Sequence, residues 1–128
     1  MKWLLELLGL RKKKKFKISC SDPAMRDLYT RAMEEAYVRL NKNHFPRAKR
    51  IEHEVKVEVV TNGSDMTSAS ANEVGAAFGS RKIQIWDKWK TNFNLAVHEC
   101  THILMYASGY RNESSAHDKR AFPKGGSF

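Results

Sequence analysis

A chain of 128 residues fits one domain with a single buried core, and a hydrophobic fraction of 41% excludes wholesale disorder. The net charge of +9 is uneven: Lys2, Arg11, Lys12, Lys13, Lys14, Lys15 and Lys17 against Glu6 put +6 on residues 1–17 and leave the rest nearly balanced. Two cysteines, Cys20 and Cys100, exclude a disulfide framework and a four-cysteine zinc module, and point to a reducing, cytoplasmic setting.

Residues 2–10 read as a short, mostly apolar helix, too short to span a bilayer. Glu6 interrupts the run and basic residues follow it where small cleavage-site residues belong, so no secretory signal is expected. Lys2 excludes N-myristoylation, which needs Gly there. Residues 1–20 are therefore expected to form a separate arm. Its Arg11, Lys12, Lys13, Lys14, Lys15 and Lys17 attract DNA or, with Trp3, Leu4, Leu7 and Leu8, an anionic membrane.

Ser21-Asp22-Pro23 supplies a helix start, a capping side chain followed by Pro in the first turn. Met25, Leu28, Tyr29, Ala32, Met33, Ala36, Tyr37 and Leu40 then recur at helical spacing, which predicts an amphipathic helix to about Asn41. A basic link with Pro46 leads to residues 51–60, where Ile51, His53, Val55, Val57 and Val59 alternate with Glu52, Glu54, Lys56 and Glu58. That is the pattern of a half-buried strand. Asn62-Gly63-Ser64-Asp65 ends it in a turn, and residues 66–73 read as loop. Residues 74–78 and 82–86 flank Gly79-Ser80-Arg81 as a hairpin. A second long helix should start near Thr91 or Asn92 and end at Gly109, and a short one should run from 115 to 122, before Pro123. The order predicts an α+β domain over residues 21–128 with a small, antiparallel-rich sheet.

The chemistry is concentrated in His98-Glu99-Cys100-Thr101-His102, inside the second long helix. Residues four apart lie on one helical face, so both imidazoles can grip one Zn²⁺ at about 2.0–2.1 Å, while Glu99 reaches a water beside it as general base. With five His and nine Glu in the chain, this pattern arises by chance in roughly one such sequence in a hundred. Leu95, Ala96, Val97, Ile103, Leu104 and Met105 surround it, so a burial cost weighs against idle imidazoles and a carboxylate. Glu113, His117 and Asp118 are the downstream candidates for a third ligand, with His117 favoured because imidazole is common in that role. Cys100 points away into the core as a small hydrophobe, and His53 reads as a satisfied core histidine. Trp86, Trp89 and Phe93 read as core or rim packing. Tyr106, Tyr110 and Arg111 are candidate oxyanion donors.

His98-Glu99-x-x-His102, a histidine fifteen positions later at His117 and an aromatic at Phe122 resemble the SprT-like (Spartan-like) metallopeptidases. A helix, a strand and a hairpin upstream agree with that family over roughly residues 22–122. The resemblance implies a minimal zincin fold, His117 as third ligand, Zn²⁺ as cofactor, and endoproteolysis of protein or peptide substrates, often bound to DNA. Ala116 departs from the Gly common in the family, and no four-cysteine ribbon follows it, leaving the basic arm as the substitute DNA contact. Two rivals stand beside the peptidase. One is a zinc-stabilised structural protein without turnover, held in a larger protein assembly. The other is a nucleic-acid-binding module using the arm with Lys42, Arg47, Lys49 and Arg50.

Overall fold

A computed structural model describes residues 15–42, 48–61, 75–110, 119–124 and 128. In chain order these give strand β1 (Lys17–Ser19), helix α1 (Pro23–Lys42), strands β2 (Glu54–Val60), β3 (Gly75–Phe78) and β4 (Lys82–Trp86), a 3₁₀ turn (Asp87–Trp89) and helix α2 (Phe93–Ala107). The class is α+β, with the four described strands in the order β1-β2-β4-β3.

Local chemistry sets both helices. Asp22 caps α1, its Oδ1 accepting from the Ala24 N–H at 2.9 Å and the Met25 N–H at 3.4 Å, and Pro23 occupies the first helical position. Asn92 caps α2, its side chain accepting from the Leu95 N–H at 2.9 Å. Gly109, at φ 93°, ends α2 in a backbone region that costs glycine little. Met25, Tyr29, Ala32, Met33, Ala36 and Leu40 form the buried face of α1. They meet Leu95, Ala96, Ile103 and Leu104 of α2 in one core with Val55, Val57, Ile83 and Ile85 of the sheet. The hairpin is where the sequence places it, with Gly79 at φ 62° in its turn. Residues 119–121 are turn, and the remainder of the expected last helix, like the expected helix at 2–10, lies outside the described residues.

The sheet departs from the antiparallel-rich expectation. β1 pairs with β2 in parallel (Ile18 opposite Val55), β2 with β4 in parallel (Val57 opposite Ile83), and only β3 runs antiparallel to β4. The reason is the intervening chain. Twenty residues of α1 carry it back before β2 begins, so β2 enters in the same direction as β1. Across β2 and β4, the buried Gln84 donates to Glu58 Oε1 at 2.9 Å. That hydrogen bond, with Lys82 at 3.4 Å, holds the Glu58 carboxyl below the usual carboxylate range.

The second correction concerns residues 15–20. The sheet takes up the end of the expected arm: Phe16 is 4% exposed, Ile18 lies in the core, and Lys17 and Lys15 stay exposed. Arg11, Lys12, Lys13 and Lys14 lie outside the described residues. Arg50 stacks on the rings of Phe16 (4.4 Å) and Tyr37 (5.2 Å) and reaches Glu34 Oε1 at 2.8 Å. It therefore fastens β1 to α1 rather than joining an open basic patch, while Lys42 and Lys49 remain exposed and Arg47 lies outside the described residues.

These contacts divide the N-terminus sharply. Deleting residues 1–14 removes five cations and should weaken DNA or anionic-vesicle binding and flatten its salt dependence. Deleting residues 1–19 removes Phe16, Ile18 and the β1 ladder, and should cost at least about 3 kcal/mol in urea unfolding. Equal stability of the two truncations would show that β1 contributes nothing to the fold.

Candidate metal centre

α2 crosses the core between α1 and the edge strand β3, and carries the motif through its buried middle. His98 is 9% exposed, His102 is half-buried, and their ring centres stand 4.9 Å apart. Two imidazoles sharing one tetrahedral zinc at about 2.0–2.1 Å bring their ring centres to about 5 Å, the separation this pair has. Among the described residues no group of three or more His, Cys, Asp or Glu converges as a ligand set. His117, the expected third ligand, and its rivals Glu113 and Asp118 lie outside the described residues.

Phe122, the aromatic of the resemblance, packs on both imidazoles. Its ring lies 4.8 Å from that of His98 and 4.5 Å from that of His102, and it is buried. Phe128 stands 6.0 Å from His98 and edge-on to Trp89 at 5.8 Å. The two imidazoles therefore sit in an aromatic surround, which lowers the local dielectric and sharpens any charge placed there.

Glu99, next to His98 on α2 and about 60° around the helix from His102, is 4% exposed. Its carboxylate lies against Gly75, the first residue of β3. A Cβ on Gly75 would stand 3.2 Å from Glu99 Oε2, 3.4 Å from its Cγ and 2.8 Å from Ile85 Cδ1. A Cβ there would make the Ile85 and Glu99 side chains shift, so glycine eases the approach of this strand backbone to a buried carboxylate. Sequence reasoning missed this residue, since only the pairing of β3 with β4 and its packing on α2 bring Gly75 to Glu99. Gly75→Ala is expected to cost about 1–3 kcal/mol by overpacking, and adding Ile85→Val should recover part of it by removing the closest atom. Urea unfolding of the three proteins checks this. A neutral Gly75→Ala would mean that Glu99 and Ile85 have slack.

Cys100 is fully buried, its Sγ donating weakly to the Tyr29 carbonyl at 4.0 Å. Burial, and then the charge of Glu99, push its thiol well above the ordinary value, so it is an inert core residue as expected. Burial likewise pushes the Tyr29 hydroxyl up, with Cys100 and then Glu99 adding to it. His53 is half-buried, its Nε2 at 2.6 Å from the Ser80 carbonyl, which fits a satisfied histidine whose N–H donates there. Tyr106 lines a separate cleft with Phe78, Gly79, Ser80 and Arg81; Tyr110 is exposed, and Arg111 lies outside the described residues. Trp86 carries Lys88 over its ring at 4.8 Å, and Phe93 packs against the core.

Beside His98, on the side of α2 away from Glu99, lies an open cleft of about 310 Å³. Arg39 of α1, Val97, Phe122, Lys124 and Phe128 line it, and of these Arg39, Lys124 and Phe128 had no place in the sequence reading. No helix among the described residues is long and apolar enough to cross a membrane. No protein-family model, no curated protein and no solved structure matches this chain.

Proposed function

We propose that the chain is a zinc-dependent endopeptidase with a minimal zincin-like, SprT-like domain, in which His98, His102 and His117 hold the metal and Glu99 is the general base. The observation that carries the proposal is the arrangement on α2. Two imidazoles 4.9 Å apart share one face, and a buried carboxylate beside them turns to an edge strand. A carboxylate beside a paired imidazole set is what metal-assisted peptide hydrolysis uses.

When bound, zinc supplies a lowered pKa to an attached water and a positive charge for the developing oxyanion. Glu99 takes the proton from the attacking water and returns it to the leaving amine. Its low exposure keeps bulk water from competing for that proton. β3 is an edge of the sheet among the described residues, so an extended substrate adds to it through backbone hydrogen bonds, which implies broad sequence tolerance. Gly75 permits the approach of that strand to Glu99. Two free cysteines fit a reducing, cytoplasmic setting, and the N-terminal cations would bring the domain to DNA-bound or membrane-bound substrates.

The test is metal content joined to activity. Purified protein should carry about one zinc per chain, cleave an unfolded protein substrate, stop on chelation and recover on zinc addition. Cleavage unaffected by chelation would end the zinc-peptidase reading. A structural role is favoured by one observation, the packing of Phe122 on both imidazoles. In that reading zinc, or the aromatic cluster alone, stabilises the fold within a larger assembly, and chelation lowers the unfolding temperature of a protein that never cleaves.

A further inference from the structure

We propose that the cleft beside His98 is a carboxylate site, which makes peptides that present a carboxylate, from a side chain or a C-terminus, the preferred substrates of the peptidase read above. The assignment deepens that reading and rests on the composition of the cleft. Its about 310 Å³ falls in the range of small-ligand sites, about 300–1,000 Å³. Arg39 and Lys124 line it, and among the described residues no Asp or Glu does. Phe122, Phe128 and Val97 make the rest of the wall largely apolar, and His98 ties it to the candidate metal centre. Such a cleft suits a short apolar stem ending in a negative charge.

Two further features act in the same direction. Arg39 donates its Nε–H to Glu35 Oε1 at 2.8 Å, and the pair is largely exposed, at 57% and 41%. A pair so exposed is weak, and its partner occupies only one of the five guanidinium donors, which leaves the Nη groups for a ligand. The cleft also takes in Asn94 and Val97 from the first turns of α2, whose opening turn carries no acidic residue. The positive end of a 15-residue helix dipole therefore lies beside the two cations without a compensating carboxylate from its own first turn.

The charge selected is a carboxylate, carried either by an Asp or Glu side chain or by the C-terminus of the substrate. A short, partly aromatic-walled cleft with two cations differs from the extended basic stripe that tracks a nucleic-acid backbone.

The experiment measures binding to full-length, zinc-loaded Glu99→Gln protein, so that no peptide is consumed. The probes are unstructured ten-residue peptides with amidated ends that carry a single Glu, Gln or Lys, and one neutral peptide with a free C-terminal carboxylate. The Glu peptide, the free-carboxylate peptide or both should bind about five- to tenfold tighter than the Gln peptide, with the margin shrinking as salt rises. Which of the two gains identifies the source of the carboxylate. The preference should vanish in Arg39→Gln/Lys124→Gln and turn toward the Lys peptide in Arg39→Glu/Lys124→Glu. Arg39 and Lys124 are exposed, and circular dichroism of each variant verifies that the fold is kept.

Equal affinities for all four peptides, or a preference unchanged in the variants, would overturn the assignment. So would a single-stranded oligonucleotide that binds with the same dependence on Arg39 and Lys124 while the peptides show no preference. The two readings fail separately. If wild-type protein cleaves none of the peptides but the binding preference holds, the peptidase falls and the carboxylate site stands. If it cleaves them without discrimination, the site falls and the peptidase stands.

Discussion

Glu99→Gln should lower peptide hydrolysis by at least about a thousandfold while zinc content and fold are retained. The amide is nearly isosteric with the carboxylate, so it fits the same space against Gly75 and Ile85. Neither imidazole is touched. What disappears is the proton acceptor, and with it the donor to the leaving amine, so that one substitution removes both proton transfers. General acid–base catalysis contributes about 10²–10⁴-fold, which sets the scale. The loss should fall on kcat, with KM little changed, because Glu99 acts on the reacting atoms rather than on the length of the substrate. Gly75→Ala should show a milder form of the same defect, about a hundredfold in kcat with zinc retained, since it moves the carboxylate without deleting it. Equal and substantial activity in wild type and Glu99→Gln would remove Glu99 from its role. If wild type and variant are both inert on every unfolded or DNA-bound protein tried, the structural reading is the one that survives.

The other large effect is on metal affinity. His98→Ala and His102→Ala should each weaken zinc binding by more than about a hundredfold, the upper range for losing even an outer-sphere partner. Both substitutions also take a ring from beside Phe122, at 4.8 and 4.5 Å, so each should lower stability even in metal-free protein. Comparing metal-free and zinc-loaded unfolding separates the two effects: the packing loss appears in both, the ligand loss only in the second. His117→Ala should behave as a ligand variant in the zinc-loaded comparison, and Glu113→Ala should leave zinc in place. A zinc titration of the four proteins by calorimetry reads this directly. Stoichiometric zinc in a His98→Ala/His102→Ala protein would sink the centre. Zinc lost with Glu113 and kept without His117 would instead make a carboxylate the third ligand and withdraw the SprT-like resemblance, with the hydrolytic chemistry intact.

The sequence by itself determined what depends on near neighbours. Asp22-Pro23, Asn92 and Gly109 delimit the helices because capping is settled within three or four residues. Gly79 positions the hairpin turn, and the alternation around Val55 and Val57 identifies the inner face of β2, for the same reason. The proximity of His98 and His102 was legible too, because four residues on a helix bring two side chains together whatever the rest of the chain does. Tertiary structure alone decided the rest. β1 has three residues, too few for a periodic signal, and exists because β2 offers it a ladder and the core takes Phe16 and Ile18. The parallel direction of β2 against β1 follows from the path of α1, which no strand residue records. Gly75 meets Glu99 across 24 positions, and Arg39 meets Lys124 at one cleft across 85, so neither pairing leaves a local pattern. Arg50 reads as one more surface cation until Phe16, Tyr37 and Glu34 close around it. Spacing along one element carries the proposed ligand pair and proposed base, whereas the space around Glu99 and the charge beside His98 come from elements that meet only in the folded chain.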